Sequence, residues 1–148
     1  HPIYQVHTQY YFNTNNHQKI NNLNDLDDKN LLVGQVIGFM YSADFYHRKF
    51  SRFEGQSEEQ LLNMLWHNRL DAAYITKEAE YYYRDKLGIP KGTVYFLTDI
   101  GKQLVPLYLA FNKNHPKAQY YADAFDQGLI KIKETGEYQK IVHKFFPF

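Results

Sequence analysis

The chain contains no cysteine. That removes disulfides, thiolate metal sites and cysteine nucleophiles together. It is compatible with an oxidising compartment without requiring one. No run approaches the roughly 18 apolar residues that a membrane-crossing helix needs. An excess of one charge is also lacking, since 17 basic side chains face 16 acidic ones and the net charge is +1. With neither a basic stripe nor an acidic tail, no nucleic-acid partner is expected. No secretory-leader pattern and no initiator methionine open the chain at His1, which reads as a processed protein or a piece of a longer one.

Chemical motifs are missing too. Gly34 and Gly38 do not form GxGxxG, no Walker loop occurs, and Ser42 lacks the GxSxG elbow. The histidines are His1, His7, His17, His47, His67, His115 and His143, and none forms an HExxH or HxxxH pair. Surface or loop histidine is the simpler reading, and no metal or cofactor is expected. No carboxylate pair suggests an acid and a base, so no enzymatic activity is expected.

What is present is an ordinary globular composition. At 148 residues, 44% hydrophobic and 22% charged, the chain is long enough for one domain with a proper core. Aromatics are abundant, with 14 Tyr and 11 Phe. Most serve packing, and some are candidates for lining a ligand cleft.

The pattern along the chain alternates strand and helix. Residues 3–12 alternate polar with apolar or aromatic residues, as a strand does. Residues 13–24 are Asn-rich and read as loop. Residues 33–40 form an apolar run suited to a buried parallel strand. A short helix over 42–49 and a brief strand over 52–54 follow. Ser57, then Glu58 and Glu59, signals a helix start, and Leu61, Leu62, Met64 and Leu65 carry its apolar stripe to His67. A strand over 70–75 leads into a helix from Thr76, which caps it, to Leu87, ended by Gly88-Ile89-Pro90. Strands over 94–97 and 104–112, a long helix over 116–135 and a last helix over 137–145 complete the reading. This alternation predicts an α/β fold, three-layered α/β/α, with a mainly parallel sheet.

Four segments carry a family resemblance. They are Leu23-Asn24-Asp25-Leu26 with Gly34-Gln35-Val36-Ile37-Gly38; the helix and strand spanning Glu58 to Ile75, with its Asp71-Ala72 step; Pro106-Leu107-Tyr108-Leu109-Ala110-Phe111-Asn112-Lys113; and the stretch from Leu129 to Ile141. In this order they resemble the periplasmic solute-binding proteins of the amino-acid-binding type, and the bacterial sensor domains built on the same scaffold. The resemblance covers residues 20–146. It implies a two-lobed receptor crossed twice by the chain. Residues 1–14 would be a crossing strand, 15–105 the second lobe, and 106–148 the return strand with C-terminal helices of the first lobe, whose N-terminal part is not in the chain. Apolar surface at Phe125, Leu129, Ile132, Phe145 and Phe146 would then be exposed, favouring dimerisation or domain swapping.

The resemblance also points to site residues. Tyr41-Ser42-Ala43-Asp44 opens a helix after the apolar strand, where the family grips a ligand carboxylate; a plain helix cap is the alternative. Tyr74 and Thr76 end the strand that follows Asp71, where ligands bind in open α/β sheets. Amino-acid-binding members place an acid near the position of Thr76 to meet the ligand's ammonium group. Here a hydroxyl stands instead, which accepts a hydrogen bond but neutralises no charge. Asp71 itself reads as structural. The implied function is extracytoplasmic, periplasmic-type binding of an amino-acid-like or carboxylated solute. The partner would be a membrane transporter permease or a signalling domain. The competing reading is a ligand-free interaction or structural module that uses its aromatic surface.

Overall fold

A computed structural model describes residues 1–15, 20–96 and 101–148; His17, Leu97 and part of the Asn-rich loop lie outside them. The elements run β1 (Tyr4–Asn13), α1 (Asn24–Asp28), β2 (Leu32–Val36), α2 (Ala43–His47), β3 (Ser51–Gly55), α3 (Glu58–Trp66), β4 (Ala72–Thr76), α4 (Lys77–Leu87), β5 (Val94–Phe96), β6 (Gln103–Leu107), α5 (Ala118–Glu134) and α6 (Glu137–Phe145). The chain divides into a larger unit, residues 7–104, and a smaller one formed by residues 1–6 with 105–148.

The sheet has the order β3-β2-β4-β1-β5, and β6 pairs with β1. β2 runs parallel to β3 and β4. β1 runs antiparallel to both β4 and β5. The expected mainly parallel sheet is therefore mixed. The physical reason is connectivity: α2 and α3 are crossovers that return the chain to start β3 and β4 in the same direction, as parallel pairing demands. No such βα unit links β1 to β4.

Period-two alternation sorts the core. On one face Tyr10, Phe12, Val33, Ala72 and Tyr74 pack with Leu26 of α1, Phe45 of α2 and Phe50. On the other, Tyr11, Val36, Ala73 and Ile75 pack with Leu61, Leu62 and Leu65 of α3, and with Leu70 and Ile89. β4 is covered on both sides, which is why its sequence is an unbroken apolar run. The result is a central sheet flanked by helices.

Three helices start with a hydroxyl cap. The Ser42, Ser57 and Thr76 side chains accept from the backbone N–H of Phe45, Gln60 and Ala79. All three caps follow the carboxyl ends of parallel strands, so they gather on one edge of the sheet. Asp71 is structural, as expected: its carboxylate accepts from Leu32 N–H at 2.8 Å, and its own N–H donates to Leu32 C=O at 3.0 Å. This pairs the starts of β2 and β4.

Several expected boundaries move. β2 stops at Val36 rather than Met40, and Gly38 sits at φ +81° in the loop that follows. That left-handed backbone suits glycine and ends the pairing. β6 stops at Leu107 rather than Asn112, and α1 starts at the last residue of the segment read as loop and runs on through residues 25–28, for which no element was expected. His7 is not a free surface histidine, because its backbone N–H and ring Nδ1 both meet the Glu78 carboxylate at 3.2 Å.

In the smaller unit, Ile3 N–H donates to Leu107 C=O at 2.7 Å, and Tyr138 Oη donates to Ile3 C=O at 2.7 Å. The α-amino group of His1 pairs with Asp126 at 3.1 Å. Of the side chains expected to be exposed on its helices, Leu129 is buried and Phe125, Ile132 and Phe146 are half-buried, while Phe145 is exposed. The exposed apolar groups are joined by Tyr120, Tyr121, Ile130 and Ile141.

Candidate functional site

The carboxyl edge of the parallel strands carries an open cleft of about 300 Å³. It is lined by Tyr10, Ser42, Asp44, Tyr74, Gly101, Lys102 and Gln103, all in the larger unit. Tyr10 and Tyr74 are cross-strand partners on β1 and β4, and their rings stack with centroids 4.4 Å apart. The Tyr74 hydroxyl donates to Gly101 C=O at 3.2 Å. Gly101 has φ +63°, and a Cβ there would stand 2.5 Å from the Tyr10 ring. Only glycine lets the backbone come that close to the tyrosine.

Of the residues singled out in sequence, Ser42, Asp44 and Tyr74 come together in this cleft. Tyr41 stands behind it, 5.5 Å from the Tyr74 ring and 4.7 Å from Phe45. Its hydroxyl accepts from Val36 N–H at 2.8 Å, so it braces the end of β2. Ala43 is exposed in the first turn of α2 and does not line the cleft. Thr76 ends β4 on the same edge. There its backbone N–H donates to Glu58 Oε1 at 2.7 Å while its hydroxyl caps α4.

Sequence reasoning missed Tyr10, Gly101, Lys102, Gln103 and Glu58. Glycine before a basic residue at the start of a crossing strand was the available signal for the 101–103 segment. Glu58 reads locally as first-turn helix charge, and its reach to Thr76 is a tertiary contact. Asp44 and Lys102 give the cleft opposite charges. Asp44 is held by Arg48 at 3.4 Å, and Arg48 also reaches Asp27 at 3.2 Å.

Burial perturbs the tyrosines. It pushes the Tyr74 phenol up to about 12, with the Asp44 charge adding to the rise. Burial also pushes the Tyr41 phenol up to about 12, against the Val36 hydrogen bond and helped by the Glu58 charge. Tyr10 rises for the same first reason. Folded phenols that ionise later than unfolded ones contribute stability that is intact below pH 10 and lost as pH rises toward 12. The chain is therefore expected to lose stability steeply above pH 10. Tyr74→Phe should flatten that loss in denaturation curves taken across this range. An unchanged slope in the variant would contradict the assignment.

The fold is shared with known structures. An amino-acid ABC transporter substrate-binding protein from Streptococcus pneumoniae, bound to L-arginine, superposes with TM-score 0.75 and 19% identity, covering 99% of this chain and 60% of that one. The GluR0 ligand-binding core from Nostoc punctiforme, in complex with L-glutamate, gives TM-score 0.67 and 23% identity over 98% and 63%. An ancestral amino-acid-binding protein, a precursor of cyclohexadienyl dehydratase, gives TM-score 0.74 and 20% identity over 98% and 60%. The chain thus spans about three fifths of the length of the structures it matches. No protein-family model matches the chain. No curated protein matches it. Among the described residues no helix is long and apolar enough to cross a membrane. Matched over nearly its whole length, the chain has the fold of the amino-acid-binding periplasmic proteins.

Proposed function

We propose that this chain is a small-molecule-binding module for an amino-acid-like or carboxylated polar solute. It would act outside the cytoplasm, in a transport system or as a sensor input. The observation that carries the reading is the cleft at the strands' carboxyl edge, where Asp44 and Lys102 offer opposite charges above a tyrosine floor. A dipolar solute satisfies both charges at once, and a low-polarity floor strengthens each contact. In this reading residues 1–14 are a crossing strand, 15–105 form the solute-binding lobe, and 106–148 form the return strand and helices of the other lobe. Ser42, Asp44 and Tyr74 face the solute, Tyr41 and Thr76 support them, and Ala43 shapes the turn. A permease or a signalling domain is the corresponding partner, and no chemistry is assigned to the module itself.

Thermal unfolding against a panel of amino acids and organic acids tests this, because a ligand that binds only the native state raises its apparent stability. A shift that follows concentration, and that is lost in Lys102→Ala, is the expected result. No shift with any member of the panel would leave the interaction-module reading, which is supported by exposed Ile37, Phe39 and Met40 on the same edge.

A separate expectation concerns the smaller unit. Tyr120, Tyr121, Ile130, Ile141 and Phe145 are all exposed on its two helices. Apolar surface of this kind favours association. Sedimentation velocity of the 148-residue chain should show concentration-dependent dimers. A monomer at every concentration would count against it.

A further inference from the structure

Sulfur in this chain is carried by methionine alone. There is no cysteine, and the two methionines are Met40 and Met64. With no thiol to react first, the readiest target for a mild peroxide is a thioether. The fold treats the two thioethers differently. Met64 lies in α3 among the fully buried Leu61, Leu62 and Leu65, and its side chain packs against the core cluster on that face of the sheet. Met40 stands in the loop between β2 and α2 and is 93% exposed.

The loop that carries Met40 is anchored by other groups. Ile37 N–H donates to Gly55 C=O at 2.9 Å, and Phe39 N–H to Val36 C=O at 3.3 Å. The Tyr41 hydroxyl accepts from Val36 N–H at 2.8 Å, and the Tyr41 ring packs 4.7 Å from Phe45. Ser42 then caps α2 by accepting from Phe45 N–H at 3.2 Å. None of these anchors uses the Met40 side chain. Ile37 and Phe39 are exposed beside it, so the loop presents a small apolar edge. Its last residue, Ser42, lines the cleft.

We infer that Met40 is a peroxide-responsive modification site, oxidised to the sulfoxide ahead of Met64 and without loss of the fold. A lone pair on Met40 Sδ attacks one peroxide oxygen. The S–O bond forms as the O–O bond breaks, and the departing hydroxide takes the proton left on the transferred oxygen and leaves as water. Sulfur gives up two electrons and the peroxide is reduced. Access to sulfur sets the order of reaction, because susceptibility follows exposure. The product is polar where the thioether was apolar, so the edge made by Ile37, Phe39 and Met40 changes character with the redox state. This inference goes beyond the solute-binding reading and stands without it.

Dilute hydrogen peroxide applied to the 148-residue chain, with peptide mass mapping over time, tests this. Met40 should gain its oxygen faster than Met64, on the order of tenfold or more, as access dictates. In denaturant the two should react at similar rates, since the difference comes from the fold. Chain oxidised at Met40 alone should keep its thermal midpoint and bind less of an apolar fluorescent dye. Met40→Leu keeps an apolar side chain at the same exposed position, so the same brief treatment should leave its dye binding unchanged. Equal rates at the two methionines of the folded chain would overturn the inference. So would a preference for Met40 that persists in denaturant, or a lowered midpoint in the singly oxidised chain. Dye binding that does not fall, or that falls as far in Met40→Leu, would overturn the change of surface character.

Discussion

Phe45→Ala is expected to destabilise the larger unit by about 3–5 kcal/mol, the range for deleting a buried aromatic side chain. Phe45 is almost wholly inaccessible and stands at the centre of the ring cluster on one face of the sheet. Its ring lies 4.7 Å from Tyr41, 4.9 Å from Tyr74, 5.4 Å from Phe50 and 6.2 Å from Tyr10. The Arg52 guanidinium sits over it at 5.4 Å. Alanine would remove the backing of both cleft-floor tyrosines and of the brace that holds the end of β2. The cost should therefore appear in solute affinity as well as in stability. Phe45→Leu, which keeps most of the volume, should recover more than half of the loss. Denaturant midpoints of the two variants decide the point. A loss under about 1 kcal/mol in the alanine variant would show that the neighbouring rings close over the gap.

Phe45 also illustrates what was legible in the sequence. The short helix that carries it was readable because Ser42 is a local signal, a hydroxyl three residues before the N–H it caps. Ser57 and Thr76 were readable for the same reason. The last helix was readable to the residue, since its start follows a glycine and its apolar spacing is regular. The strand over 33–40 was misjudged at its end because apolarity alone does not separate burial from exposure. Ile37, Phe39 and Met40 are as apolar as Val33 but are exposed in the turn around Gly38 and just after it. α1 was missed because its five residues have no side-chain cap and a single buried side chain, Leu26.

The site was half legible on the same logic. Ser42, Asp44 and Tyr74 were indicated by the family resemblance together with strand ends and helix starts, which are patterns in neighbouring residues. Tyr10 and Lys102 reach the same cleft from elements far away in the chain, through β1 pairing with β4 and through the segment after β5. Glu58 is the sharpest case. An acid was expected near position 76 and the sequence places threonine there, yet a carboxylate arrives at that backbone N–H from 18 residues earlier. No local pattern encodes that contact, because it depends on how closely α3 lies against the sheet.

That close approach yields the second large effect. Leu61 of α3 lies directly over two glycines on adjacent strands. A Cβ on Gly34 would stand 2.8 Å from Leu61 Cδ2 and 2.6 Å from Leu70 Cδ1, and one on Gly55 would stand 2.6 Å from Leu61 Cδ2. These are contacts that real side chains do not make, so the helix would have to lift or the leucines turn. Gly34→Val is expected to cost about 3 kcal/mol, the upper part of the usual overpacking range. Leu61→Ala is expected to cost about 2–5 kcal/mol by leaving a cavity at a fully buried site. Combined, the two should cost less than their sum by about 1 kcal/mol or more, because the valine fills space that the leucine vacates. Strict additivity in a denaturation double-mutant cycle would mean that the glycine does not set the height of the helix.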